Sequence, residues 1–274
     1  KSTLTSELIR YHRAQGLTVG VVAVDPSSPF TGGAILGDRI RMQDHFNDPG
    51  VFIRSLATRG AMGGLSASTA DVINVMEAMG KQIILVETVG VGQDEVDIVK
   101  LADTTLVVTV PGLGDDVQAI KAGILEIADV FVVNKADREG ADRTVRELEM
   151  MLHLRENAAA RVHADAHVRG ESAPGTWDPP VVRTVAIRGQ GVQELMEAVH
   201  KHQAFLKQSG GLTQKKAERA RRSLLAMAQQ RLLASALEVL QKEGGLEPLV
   251  QRVASRQSDP HAEVTRWMTK VLKV

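Results

Sequence analysis

Short, almost unbroken apolar runs alternate along most of the chain with longer stretches in which apolar positions recur every three or four residues. The runs lie at residues 18–25 (TVGVVAVD), 51–55, 82–87 (QIILVE), 104–110 (TTLVVTV), 130–134 (VFVVN) and 181–186. Continuous rather than alternating apolar character marks strands covered on both faces, as in a parallel sheet. Between them, residues 2–15 place Leu4, Leu8 and Tyr11 on one helical face and are followed by Gly16, a helix stop signal. Residues 66–79, 116–128 and 143–154 carry the same period. The alternation predicts an α/β fold, a doubly wound and mainly parallel sheet.

Residues 157–178, rich in Ala, His, Gly and Pro, break this rhythm and read as a surface loop inserted before the last strand. His163 and His167 within it are four apart, a spacing that brings two imidazoles together only on a helix. The segment offers weak helical context, so a solvated loop is expected there. Beyond Val192 the strands stop. Residues 193–206, 214–241 and 260–271 are helical patterns, with breaks at Ser209-Gly210-Gly211 and Gly244-Gly245. The middle one carries Leu224, Leu225, Met227, Leu232, Leu233, Ala236, Leu237 and Leu240, too wide a stripe for a free-standing helix. Such a face packs on the α/β body, on another chain, or on both. Its basic start, Lys215, Lys216, Arg219, Arg221 and Arg222, reads as a solvated face. The expected division is an α/β domain at 1–208 and a helical extension at 209–274.

Composition narrows the function classes. The 274 residues include 33 Lys+Arg against 33 Asp+Glu, and this zero net charge argues against nucleic acid or an anionic membrane as partner. Cysteine is absent, which excludes disulfides, thiolate zinc sites and cysteine nucleophiles. Aromatic residues make up 3%, too few for a stacking platform for single-stranded nucleic acid. No apolar run approaches the ~20 residues needed to span a bilayer. The expectation is an intracellular, cytoplasmic protein. The chain opens on Lys rather than Met, which reads as a fragment or a processed chain.

The candidate chemistry lies where strands meet helices. Lys1-Ser2-Thr3 opens directly onto a helical pattern, like the tail of the phosphate-binding loop G-x-x-x-x-G-K-[ST]. In that loop the Lys reaches the β- and γ-phosphates, the hydroxyl ligates Mg²⁺, and the helix N-terminus favours the anion. Asn134-Lys135-Ala136-Asp137 follows the run VFVV, at the carboxyl edge where ligands bind in such sheets. A carboxylate there can accept from both N1–H and the exocyclic amine of guanine, a pattern adenine does not offer. The alternative for Asp137 is a helix N-cap. Glu87 ends the run QIILV and is followed by Gly90, the arrangement that meets metal and γ-phosphate in P-loop enzymes. Gly90 to Gln93 would form a loop able to sense that phosphate. Asp25 and Asp38 sit at a strand end and in a Gly-rich loop. Either could reach the magnesium shell, or make a turn and a cap respectively.

Taken together, these segments resemble the MeaB/ArgK-type P-loop GTPases, the methylmalonyl-CoA mutase-associated chaperone family related to the animal methylmalonic aciduria type A protein. The matching stretches are KST at the start, 23–42, 53–66, 87–98, 111–137 and, more weakly, 179–192. The resemblance implies a P-loop GTPase domain at 1–208 whose first strand and glycine half of the P-loop precede Lys1. It implies that Lys1, Ser2 and Thr3 complete that loop. Asp25, Asp38 and Glu87 would serve Mg²⁺ and the catalytic region alongside Ser2. Asn134, Lys135 and Asp137 would hold guanine. The family's base-covering Thr-Ser-Ala stands here as Thr184-Val185-Ala186, which leaves the backbone N–H of Ala186 as the contact beside Val185. Gly90, Gln93 and the 111–121 loop with Lys121 would form the switches that address the mutase.

The implied ligands are GTP or GDP with Mg²⁺. The implied partners are an adenosylcobalamin-dependent acyl-CoA mutase and a second copy of the chain, and the implied location is the cytoplasm, or the mitochondrial matrix in a eukaryote. Two other readings stay open: a nucleotide-dependent small-molecule kinase, and a metallochaperone GTPase, although no Cys or His tract is present. Asp259-Pro-His261-Ala-Glu-Val264 looks like the cobalamin motif D-x-H-x-x-G, but Val264 replaces the Gly. Cobalamin is not expected to be held by this chain.

Overall fold

The computed structural model describes residues 1–26, 42–58, 64–88, 100–112, 124–167, 176–242 and 244–271. In chain order the elements are α1 (Ser2–Ala14), β1 (Val19–Pro26), β2 (Val51–Thr58), α2 (Gly64–Ala78), β3 (Ile83–Thr88), β4 (Leu106–Thr109), α3 (Ile124–Ile127), β5 (Val130–Asn134), α4 (Ala141–His167), β6 (Val181–Thr184), α5 (Val192–Gln208), α6 (Gly211–Lys242), α7 (Glu247–Ala254) and α8 (Pro260–Val271). Among the described residues every strand pairing is parallel, in the orders β2-β1-β3 and β4-β5-β6.

The central strands β1 and β5 read as nearly unbroken apolar runs because both of their faces are buried, whereas β2 at the sheet edge exposes Phe52 and Arg54 on one face. On β1, Val19, Val21 and Ala23 pack with Ile9 of α1, while Val22 and Val24 face Met76 of α2. Gly20 on that strand admits Met76, whose sulfur would lie 2.6 Å from a Cβ placed there. On β5, Val130 and Val132 join Leu4 and Leu8 of α1 and Leu195 of α5, while Phe131 and Val133 meet Val145, Leu148 and Leu152 of α4. Helices thus cover both faces, and α1 reaches both sheets, since Leu85 of β3 and Val108 of β4 pack on the cluster that holds Leu4. This is the doubly wound α/β arrangement, with a helical C-terminal region.

One expectation is corrected. The surface loop foreseen at 157–178 is helical as far as His167, because α4 runs on through 157–167. The sequence there is NAAARVHADAH, and Ala is the strongest helix former, so the stretch favours helix over loop. The side chains of 155–167, His163 and His167 included, lie outside the described residues, as do 168–175. The helix α7 was not foreseen. It is eight residues long, with Pro at its first turn, too short for a periodic signal to stand out.

The chain divides into two compact units, Lys1–Ala217 and Glu218–Val274. The first turns of α6 belong to the first unit, where Lys215 Nζ donates to the Asp103 carbonyl at 2.8 Å and lies 3.6 Å from Asp129. In the second unit Glu263 of α8 is buried between two arginines, with Arg252 at 2.8 Å and Arg266 at 3.1 Å. Asp259 accepts from the Ala262 N–H at 2.9 Å and so caps the first turn of α8. None of the helices of the described residues is long and apolar enough to cross a membrane.

Candidate nucleotide site

All strands of each parallel sheet end on one edge, and the candidate residues come from those ends. Ser2 stands in the first turn of α1, buried, and its hydroxyl donates to Oε1 of Glu87 at 2.9 Å. Glu87, also buried, is near the end of β3, and the contact ties the start of α1 to the carboxyl edge of the first sheet. The pair fits a magnesium site in its chemistry, since a hydroxyl and a carboxylate are the hard oxygen donors this ion takes. Lys1 is exposed at the N-cap, where its carbonyl accepts the Thr5 N–H at 3.0 Å, and Thr3 is exposed. One turn further on, Ser6 Oγ meets His45 Nε2 at 2.8 Å, fixing the turn at 43–45 against α1. Burial, with the Arg10 charge, pushes the His45 imidazole below its ordinary pKa.

At the end of β5, Asn134 is buried and its side-chain oxygen Oδ1 accepts three bonds. These come from the Lys135 N–H at 2.8 Å, the Thr184 hydroxyl at 3.1 Å and the Ala186 N–H at 3.1 Å. Asn134 therefore splices the loop after β5 to the loop after β6, whose strand pairs Thr184 with Asn134. Its neighbour Lys135 has φ 58°, a left-handed backbone uncommon for a non-glycine residue. Asp137 is exposed, and α4 starts only at Ala141, too far downstream for Asp137 to cap it. Its carboxylate instead faces Arg188, with Oδ2 3.7 Å from Nη2. Val185 and Ala186 are buried, and Ala186–Arg188 forms a 3₁₀ turn that packs against α1. The start of α1, the end of β3 and the loops after β5 and β6 thus lie on one edge.

Asp38, Gly90, Gln93 and Lys121 lie outside the described residues, and so does the side chain of Asp25, whose backbone pairs with Ala57 on β1–β2. Two features escaped the sequence reading. Thr184 bonds Asn134 through its own hydroxyl, and Arg188 stands beside Asp137. Neither carries a local signal, since each contact bridges about fifty positions of sequence through strand pairing.

Comparison with known proteins adds the decisive observation. The family model described as methylmalonyl Co-A mutase-associated GTPase MeaB matches residues 1–241. The chain belongs to the MeaB family of GTPases. A GTPase of Pyrococcus abyssi is 48% identical over 272 residues, covering 99% of this chain and 80% of the relative. The GTPase ArgK of Escherichia coli is 38% identical over 200 residues, covering 73% and 57%. The mitochondrial methylmalonic aciduria type A homolog of mouse is 35% identical over 216 residues, covering 79% and 49%. Among solved structures, a LAO/AO transport system kinase matches 99% of this chain and 77% of its own with a TM-score of 0.60. At 22% identity that last likeness is one of fold. As a member of the MeaB family the chain is a P-loop GTPase, a nucleotide-binding hydrolase.

Proposed function

We propose that this GTPase acts as a chaperone of an adenosylcobalamin-dependent acyl-CoA mutase, gating cofactor loading and protecting or reactivating the enzyme. The observation that carries the reading is membership of a family whose description names association with methylmalonyl-CoA mutase. In this reading Lys1, Ser2 and Thr3 meet the phosphates of GTP, and the positive end of α1 favours them. Ser2, Glu87, Asp25 and Asp38 would hold Mg²⁺, which supplies charge neutralisation to the transferring phosphoryl group. Glu87 orients the Ser2 hydroxyl through their hydrogen bond. Asn134 and Lys135 build the base pocket, and Asp137 reads the guanine edge beside Val185. The Ala186 N–H, expected to meet the base, is instead taken up by Asn134 Oδ1. Gly90, Gln93 and Lys121 are the proposed switch residues through which nucleotide state reaches the client. The proposed assembly is a homodimer, working in the cytoplasm and holding no cobalamin itself.

The test is GTP turnover with and without purified methylmalonyl-CoA mutase. Stimulation by the mutase is expected, with Lys121→Ala losing most of it while GTP affinity stays within about two-fold. Absence of stimulation by this mutase and by an isobutyryl-CoA mutase would overturn the chaperone reading. Phosphate transfer to an amino acid, without release of inorganic phosphate, would establish the kinase reading instead.

A further inference from the structure

We propose that Arg188 is a positioning residue for guanine recognition, holding the Asp137 carboxylate in the pose that meets the base. The inference rests on the guanine reading of Asp137. It starts from how firmly the structure builds the two sides of this pair. On one side, the loop after β5 is fixed to β6, because the Ala136 N–H donates to the Thr184 carbonyl at 3.0 Å and the Arg138 N–H to the Lys135 carbonyl at 3.0 Å. On the other, the Ala186–Arg188 turn is pinned by the Ala186 N–H on Asn134 Oδ1. The Val185 N–H also donates to the Gln190 carbonyl at 3.0 Å, and the Arg188 N–H to the Val185 carbonyl at 2.9 Å. Gly191 closes the turn with φ 77°, and a Cβ there would stand 2.0 Å from the Arg183 carbonyl oxygen, so only glycine fits. Both partners hang from the same strand pair, so the backbone fixes where the two side chains start, and the Arg188 guanidinium reaches to 3.7 Å from Asp137.

Asp137 needs such a partner. Its terminal torsion is broad and roughly two-fold, and guanine recognition requires both oxygens in one plane with N1–H and the 2-amino group. Buried Val185, next in the turn, has no hydroxyl to offer. Arg188 engages Oδ2 while the Asp137 side chain stays 37% exposed, so a base can still reach the carboxylate. Because both groups meet solvent, the gain is modest.

The experiment is a set of GTP and ATP titrations on the wild type, Arg188→Ala, Arg188→Lys, Asp137→Ala and the Asp137→Ala/Arg188→Ala double variant. Arg188→Ala is expected to weaken GTP by roughly two- to five-fold, the scale of an exposed ion pair. ATP should be unaffected, Arg188→Lys should recover part of the loss, and Arg188→Ala should add nothing once Asp137 is gone. The proposal is overturned if Arg188→Ala leaves GTP binding unchanged or tighter, weakens ATP equally, or weakens GTP as much without Asp137. If Asp137→Ala fails to weaken GTP more than ATP, the guanine reading itself falls and takes this inference with it. If Asp137→Ala does so and Arg188→Ala does nothing, the inference about Arg188 alone falls.

Discussion

Asn134 carries more of the site's construction than its place in a base-reading motif suggests. One buried oxygen accepts from two backbone amides and a hydroxyl. Removing it would leave buried donors unsatisfied, at about 1–3 kcal/mol for each group that water cannot reach. Asn134→Ala is therefore expected to lower the unfolding midpoint as well as GTP affinity, whereas Asp137→Asn, at an exposed position, should leave stability intact. The second change should trade GTP for xanthosine triphosphate, because an amide offers a donor to the additional carbonyl of xanthine. Equilibrium unfolding and nucleotide titrations of the two variants separate these effects. At the other end of the site, Glu87 orients the Ser2 hydroxyl. Partners of that kind are worth about 10- to 100-fold in metal affinity. Glu87→Gln should raise the Mg²⁺ concentration needed for GTP turnover by that factor; an unchanged Mg²⁺ requirement would remove Glu87 from the metal's surroundings.

The strands were legible where a parallel strand is covered on both faces and so reads as a nearly unbroken apolar run, as at 83–86 and 130–133. Helix ends were less so. In α4 the apolar stripe of Val145, Leu148 and Leu152 lies in the first half, while the helix runs on to His167 over an Ala-rich stretch whose residues favour helix. The ends of the nucleotide site, Ser2 and Asp137, could be read from local motifs, whereas Arg188 is brought to Asp137 by the β5–β6 pairing, which no local pattern contains. Pairing also hides a polar network at the opposite edge of the second sheet. His202 of α5 is buried with Nε2 3.2 Å from Asp129 Oδ1 and Nδ1 3.0 Å from the Thr104 hydroxyl. The Trp177 ring lies against it, at 4.9 Å between centroids. Burial holds the His202 pKa below its ordinary 6.5, Lys215 adds to the shift, and Asp129 and Asp103 oppose it. His12 is lowered by burial and by His200, and His45 by burial and Arg10. The sign follows from linkage. Above pH 6.5 folded and unfolded chains are both neutral at these sites; below it the unfolded chain takes up protons that the folded chain resists. Stability should thus be flat above about pH 6.5 and fall as the pH drops through that value. Denaturant midpoints between pH 8 and pH 5 check this, and His202→Gln should flatten the decline. A midpoint that rises on acidification would contradict the assigned shifts.

At the scale of the whole molecule, the two units differ in what holds them. The first has a core clad on both faces of its sheets. Among the described residues of α6–α8, Ala236, Leu240 and Glu263 are buried, while Leu224, Leu225, Met227, Leu232, Leu233 and Leu237 of α6 are exposed. Glu263, between Arg252 and Arg266, has its pKa pulled down to about 2, chiefly by its bonds to Arg252 and Ser258. Its contribution is present above the ordinary carboxylate value of 4.5 and lost as the pH falls toward 2. Of the exposed leucines, Leu225 and Leu232 lie seven residues apart on one face of α6, with Leu224 nearby, and apolar side chains exposed together mark contact sites. Burying each such side chain is worth about 1.5–3 kcal/mol against water, offset by the entropy lost on association. The occupant that fits the proposed homodimer is the same helix of a second copy, since an isologous contact pairs one patch with itself. Sedimentation velocity should then show a dimer at low micromolar concentration, and Leu225→Glu/Leu232→Glu should shift it to monomer while GTP turnover without mutase persists. A wild type that stays monomeric to tens of micromolar (roughly the range of weak specific association) would refute self-pairing. If the same two glutamates then abolished mutase stimulation, the leucine row would belong to the client instead.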